Sequence, residues 1–293
     1  MPVSEVVHFI FSPGGGHMLR ITTLVENSSG EHHALVKEHG ISFYIERDGK
    51  KILFDTGQSD AFIRNAAQMG ISLSDIQVVV LSHGHYDHSG GFRNLSNICS
   101  SFHLYMGQGF FDEKYALRNQ AYDFLGNNFD ESFLKEQQIS YSFVRKEVEE
   151  VLPGVFILSG FPRVHEDEKV NPRFFIRRGG RFQHDHFDDE ILLSIDSPSG
   201  MVVLLGCSHP GMKNMLDAVK HRLARPIHAV LGGTHLVEAK GEGLERSLRY
   251  LDNPEIGIIG VSHCTGEEAM SRLKEENLCY FHNTTGSSLF FDE

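Results

Sequence analysis

Three histidines and an aspartate fall within six positions, at His83, His85, Asp87 and His88, in the run V-V-V-L-S-H-G-H-Y-D-H-S-G-G-F (78–92). Neutral imidazole and carboxylate are ligands suited to zinc, iron or manganese, and such a site needs no cysteine. The β-branched apolar residues ahead of them read as a buried strand. At an extended strand end, residues two apart point to one side, so His83 and His85 present two imidazoles to one ion. Asp87 and His88 lie on the following turn and reach a second position nearby. The spacing therefore predicts two divalent ions side by side, with Gly84, Gly90 and Gly91 letting the backbone wrap around them. One or two such histidines would read as solvated loop residues or satisfied core groups; four ligand types in six positions read as a metal site. Paired cations lower the pKa of a shared water toward neutrality and stabilise both the attacking and the leaving oxygen. Asp87 would be catalytic as well as a ligand, binding through one oxygen and orienting the water with the other.

The elements that must hold this cluster alternate along the chain. Residues 41–57, I-S-F-Y-I-E-R-D-G-K-K-I-L-F-D-T-G, read as two strands hairpinned at Asp48-Gly49, the second ending in Asp55. A helix is expected over 59–69 with Ser59 as its N-cap, and D-I-Q-V-V-V-L-S returns to strand. Sites on sandwiched sheets commonly sit on loops leaving strand ends, because strands fix the geometry while loops supply the groups. His235, in H-A-V-L-G-G-T-H-L (228–236), ends another apolar run behind two glycines. It is expected to face the same pocket as a substrate-binding or proton-transfer residue, with metal ligation as the second reading. His184 and His186 imitate ligand spacing, but no strand precedes them and they read as surface loop.

On these residues the chain resembles the metallo-β-lactamase fold superfamily, whose H-x-H-x-D-H is matched by His83, His85, Asp87 and His88. The resemblance implies an α+β, four-layer αβ/βα sandwich with the metals at one edge between the sheets. It makes Asp55, in D-T-G, a residue that buttresses the metal loop without binding metal. It makes His209 (G-C-S-H-P-G) and His263 (S-H-C-T-G) the remaining ligands, giving the set His83, His85, Asp87, His88, His209 and His263. These motifs together with G-G-T-H-L are similar to one subgroup from about residue 18 onward, the metal-dependent hydrolases like the archaeal dihydropteroate-synthase-like enzymes. Those enzymes join a dihydropterin to a ribofuranosyl-aminobenzene phosphate. One departure stands out. Where the superfamily usually places a bridging aspartate after a strand as G-D, this chain has Gly206-Cys207. Cys207 as a soft ligand, Asp189 reaching in, or a shared hydroxide alone stay open as bridges. Ser208 and Cys264 flank ligand histidines, but neither has a separate His-Asp pair to activate it, so no covalent nucleophile is expected.

Between about 107 and 186 the pattern loosens into an aromatic-rich insertion, expected to roof the pocket and to join two copies as a homodimer. Within it, Arg163 in S-G-F-P-R is the candidate contact for a substrate anion, since a guanidinium grips phosphate or carboxylate in a fork. Residues 1–17, with a glycine run before Met18, read as a flexible appendage and not as a phosphate loop, because no Lys-Ser/Thr and no helix follow. The remainder, 18–293, reads as one domain.

Composition narrows the partners. Lys and Arg number 27 against 39 Asp and Glu, a net charge of −12, which repels nucleic acid and leaves a small anionic substrate, phosphate- or diphosphate-bearing, drawn in by the local cations. Apolar runs fall short of a membrane span, there is no secretory signal pattern, and four scattered cysteines fit a reducing, cytoplasmic setting. The chemistry expected is thus that of a metal-dependent hydrolase or related transferase with two divalent ions, zinc first and iron or manganese next. An iron protein handling electrons or oxygen on the same fold, and a non-catalytic metal-stabilised module, are the alternatives.

Overall fold

In the computed structural model, which describes residues 18–31 and 33–291, the strand Val78–Leu81 divides its side chains as the two-residue period demands. Val78 and Val80 enter a core between two sheets, whereas Val79 and Leu81 enter a second core beneath helices. Opposite, Val202 and Leu204 of the strand Gly200–Leu205 face the same inter-sheet core, and Met201, Val203 and Leu205 face a third, helix-covered one. Both strands are apolar on both faces because each is covered on both.

Among the described residues, the first sheet runs Ser288–Phe291, Leu19–Val25, Ser42–Arg47, Lys50–Phe54, Val78–Leu81, His103–Gly107, Ser140–Val144. The second runs Ile258–Ser262, Ile227–Gly233, Gly200–Leu205, Leu192–Ser197, Val155–Leu158, Val148–Leu152. Helices Ala61–Gln68 and Phe92–Ser96 cover the first sheet, through Phe62, Ala66, Phe92 and Leu95. Helices Met212–Leu223, Glu242–Leu251 and Glu267–Glu276 cover the second, through Leu216, Val219, Leu248 and Leu273. This is the expected four-layer sandwich. The hairpin forms with Arg47 opposite Lys50, its turn residues Asp48 and Gly49 at φ 51° and 74°. The first helix begins at Ala61, two residues after Ser59, whose hydroxyl accepts the Ala61 N–H at 3.1 Å.

The stretch 107–186 does not fold as one insertion. Ser140–Val144 completes the first sheet, and Val148–Leu152 and Val155–Leu158 complete the second. What stands apart is a small four-stranded sheet, Arg181–His184, Phe174–Arg178, Glu113–Arg118, Ala121–Phe124, made of two hairpins far apart in sequence. Irregular aromatic spacing blurred the strands between those hairpins. The expected appendage at 1–17 lies outside the described residues. No helix among the described residues is long and apolar enough to cross a membrane.

Candidate metal centre

Four strand ends meet at one edge of the sandwich. Val78–Leu81 of the first sheet delivers Ser82 to His88. Three parallel neighbours of the second sheet deliver Cys207 to His209, His235 and His263 from their carboxyl ends. The backbone is bent into place there: Asp55, Phe187, Ser208, His235 and His263 all hold left-handed φ between 52° and 63°. Such backbone costs about 1 kcal/mol or more per residue and concentrates where side chains must be aimed. At Gly84 a Cβ would stand 2.2 Å from the Phe110 carbonyl oxygen, so only glycine lets the loop turn between His83 and His85.

The site residues expected from the sequence fall into adjoining groups. His83 Nε2 and His85 Nδ1 face each other at 3.1 Å, and His209 joins them with all three donor atoms within 4.8 Å of one another. His83, His88 and Cys207 form a second such group, with His88 Nε2 3.2 Å from Cys207 Sγ. Asp87 Oδ2 lies 3.3 Å from His263 Nε2 and 3.6 Å from His88 Nε2. Burial, reinforced by neighbouring imidazoles and by Lys114, holds His83, His85 and His209 well below the ordinary imidazole range. Burial thus favours the neutral ring, the form of imidazole that binds a metal. His209 Nε2 is buried without a hydrogen-bond partner. Clustered neutral nitrogens with an unsatisfied buried lone pair are a poor packing solution and a good ligand set, and imidazole, carboxylate and thiol together suit zinc.

Asp55 is placed as a buttress. Its carboxylate accepts the Ser82 N–H and hydroxyl, each at 2.7 Å, and the His88 Nδ1–H at 2.7 Å. Ser82 Oγ in turn accepts from His83 Nδ1 at 3.0 Å. One buried carboxylate thus orients two imidazoles and turns both Nε2 atoms toward the cluster. Burial disfavours a charged His88, but Asp87 and Asp55 outweigh it and raise its pKa to about 9. Burial likewise opposes ionisation of Asp87, yet His88 and His263 overcome it and hold the carboxyl well below its usual range.

Of the two side chains considered as bridges, Asp189 is engaged elsewhere. Its oxygens accept the Gly84 N–H at 2.9 Å and the Lys114 ammonium at 2.8 Å, which makes it a clamp on the histidine loop. Cys207 stands between the groups, sharing one with His83 and His88 and another with His263 and Cys264.

His235 lies beside the cluster, its ring centroid 4.3 Å from that of His209, and lines a cavity of about 120 Å³ with His209, Ser208, Thr234, Asn171 and Glu168. Burial lowers its pKa, but Glu238, 3.3 Å from Nδ1, and Cys264 more than compensate, for a net rise. Arg163 sits behind the same loop, its guanidinium donating to the carbonyls of His209 at 3.4 Å and His186 at 2.5 Å.

Several contributors escaped the sequence reading. Glu190 accepts the backbone N–H groups of Cys207 at 3.1 Å, Ser208, and His209 at 2.8 Å, holding the whole loop; burial pushes its carboxyl up to about 7. Its position just before the strand Leu192–Ser197 was the available signal. Lys114 is buried between Asp185 and Asp189, which override burial and raise it to about 12. Phe187 stacks on His209 at 3.7 Å, and Phe174 packs against His85, His209 and His235. His39, from the loop ahead of Ser42–Arg47, reaches Asp87.

The fold and sequence have counterparts among known proteins. The family model described as the metallo-beta-lactamase superfamily matches residues 38–263. The chain is 28% identical over 273 residues to 7,8-dihydropterin-6-methyl-4-(beta-D-ribofuranosyl)-aminobenzene-5'-phosphate synthase of Methanocaldococcus jannaschii, covering 88% of this chain and 91% of that protein. The crystal structure of Tm1679, described as a metal-dependent hydrolase of the beta-lactamase superfamily, superposes with a TM-score of 0.80 at 29% identity, covering 94% of this chain and all of the other. A diphosphatase from the PhnP family shares the fold at 19% identity, with a TM-score of 0.53 over 94% of this chain and 98% of its own.

Proposed function

The chain belongs to the metallo-beta-lactamase superfamily, and from that premise we propose that it is a metal-dependent hydrolase or related transferase acting on a small, phosphate- or diphosphate-bearing anion. The observation that carries this reading is the convergence of His83, His85 and His209 on one point, with His209 Nε2 buried and unpartnered beside an open cavity. His83, His85 and His209 would hold an inner ion and Asp87 and His263 an outer one, with His88 and Cys207 lying between the two groups. Zinc is the favoured metal on the donor set, ahead of iron and manganese. When bound, such ions supply a water acidified toward neutrality and charge stabilisation for the reacting oxygens.

The chain's own groups do the rest. Asp55 and Ser82 orient the imidazoles, and Glu190 and Asp189 hold the two ligand loops at a set spacing. Asp87 orients the attacking water through its carboxylate. His235 keeps Nδ1 toward Glu238, so its Nε2 is the atom that hands a proton to the departing oxygen. Phe174 and Phe187 wall the inner position against bulk water, which strengthens every charge interaction inside it. Arg163, braced at the edge of the His209 loop, is the proposed anion contact.

The relative from Methanocaldococcus jannaschii is named as a synthase of 7,8-dihydropterin-6-methyl-4-(beta-D-ribofuranosyl)-aminobenzene-5'-phosphate, and chemistry on a pterin-like ring and a ribosyl phosphate is the finer form of the proposal. We also propose a cytoplasmic homodimer assembled through the small sheet. The test is metal-stripped protein assayed against a panel of small phosphomonoesters, phosphodiesters and diphosphates. Activity should return with zinc or manganese. Hydrolysis confined to neutral lactones or amides across that panel's uncharged counterparts would sink the anionic-substrate claim.

A further inference from the structure

His39 is a half-exposed histidine on the loop between Leu19–Val25 and Ser42–Arg47, outside every motif of the cleft. Its Nε2 lies 3.3 Å from Asp87 Oδ2, the same oxygen that His263 Nε2 approaches at 3.3 Å. The three donor atoms lie within 4.8 Å of one another, and the two rings are 5.0 Å apart. Bonds of about 2.0–2.2 Å from imidazole nitrogen and carboxylate oxygen to one zinc ion place neighbouring ligand atoms roughly 3–4 Å apart. The spacing around Asp87 Oδ2 matches that.

The position of His39 is built from both sides. Before it, the Glu38 carboxylate accepts the backbone N–H groups of Gln58 at 3.0 Å and Ser59 at 3.2 Å, and the Ser59 hydroxyl, fastening the loop beside Asp55-Thr56-Gly57. After it, Gly40 packs on the metal loop itself. At φ 150° a Cβ there would meet the Asp87 carbonyl oxygen at 2.5 Å, and the Gly40 N–H donates to Asn27 Oδ1 at 3.1 Å. The same Asn27 oxygen accepts the His263 Nδ1–H at 2.9 Å, which leaves His263 Nε2 facing Asp87. One side chain therefore sets both the backbone beside His39 and the ring of His263, the kind of outer support that metal-binding histidines carry. His88, meanwhile, leans inward, its Nε2 closer to Cys207 Sγ (3.2 Å) than to Asp87 Oδ2 (3.6 Å).

We propose that His39 is a ligand of the outer metal position, completing with Asp87 and His263 a site for a divalent cation of the zinc class; this rests on the metal-binding reading above. Because the inner ligands are buried and His39 is not, the outer ion is the one that exchanges with solvent. The experiment is to load metal-free wild type and His39→Ala with Co2+ under competition from a chelator. Bound equivalents are counted, and the imidazole ring protons shifted by the paramagnetic ion are read by NMR. The exposed position makes the substitution tolerable to the fold, which circular dichroism of the metal-free variant checks. Expected is a wild type holding two equivalents and a variant that keeps the first at wild-type affinity, binds the second at least about tenfold more weakly, and lacks one ring from the shifted set. A variant that holds both equivalents at wild-type affinity with every shifted ring present would overturn the assignment of His39 alone. A wild type that takes up no ion would overturn the metallohydrolase reading together with it.

Discussion

The cleft between the two large sheets and the small sheet beside it break opposite rules of protein interiors. In the cleft, His83, His85, Asp87, His88, His209 and His263 are buried polar groups, against the usual exclusion of such residues from cores. On the small sheet the anomaly is reversed: Tyr122 and Phe182 stack at 3.8 Å on the outer face with Tyr115 and Phe124, and Phe124 is 54% exposed. The inner face of the same sheet carries Lys114 and Phe174 into the cleft wall. Each anomaly costs free energy unless a ligand resolves it; on the function proposed above, that would be metal ions in the cleft and a second copy of the chain on the small sheet. Substitutions can separate the two: cleft variants should change metal and turnover without changing assembly, and outer-face variants should do the reverse.

His83→Ala is the severest test. It removes a side chain shared by two of the groups that could hold a metal, so on the proposed reading one metal equivalent should be lost, and activity should fall below detection. Retention of full metal content and turnover would mean that the buried histidines are only packed. His235→Ala should lower kcat roughly 10²–10⁴-fold, the range of a positioned proton donor, with metal content unchanged. A lost equivalent in that variant would move His235 into the ligand set, where its 4.3 Å ring contact with His209 would have to be reconsidered.

How far the cleft was legible beforehand follows from where its residues sit in the chain. His83 to His88 belong to one loop, so the local spacing carried their geometry, and Asp55, His209 and His263 stood in short motifs at strand ends. His39, Glu190 and Lys114 reach the same place by tertiary packing alone, and no local pattern marks a lone histidine before a glycine or a lysine within an aromatic strand. The four-layer sandwich was readable because its central strands are apolar on both faces. The small sheet was not, since Glu113–Arg118 and Phe174–Arg178 pair across more than fifty residues that include strands of both large sheets.

The buttress and the pH response form a smaller pair of effects within the cleft. Asp55→Ala should weaken metal binding roughly 10–100-fold, because the ligands remain but their rings are no longer held in orientation. His88 supplies the pH dependence. Its folded pKa, about 9, lies above the ordinary 6.5, so the charged ring stabilises the metal-free protein fully below pH 6.5. That stabilisation is lost as pH rises through 9. A metal bound at Nε2 needs the neutral ring, so uptake expels the proton, and affinity should rise up to about tenfold per pH unit over the same window. Thermal unfolding of metal-free protein between pH 6 and 9, with chelator competition alongside, checks both signs. A flat melting temperature and pH-independent affinity would reject them.

The smallest effect on chemistry belongs to the outer face of the small sheet, and there the comparison can be broken outright. Tyr122→Ser combined with Phe124→Ser removes two rings of the exposed cluster, while Phe174 and Lys114, which point the other way, stay in place. If a second copy covers this face, light scattering should show a dimer for the wild type and a monomer for the variant at the same micromolar concentration. Turnover per chain should change less than about twofold, as for surface changes remote from a site. A monomeric wild type would leave the exposed rings without the proposed partner. A variant that turns monomeric and also loses activity would show that the sheet's two faces are coupled, with the outer contact holding Phe174 against His209 and His235, and the cleft and the sheet would then form one functional unit.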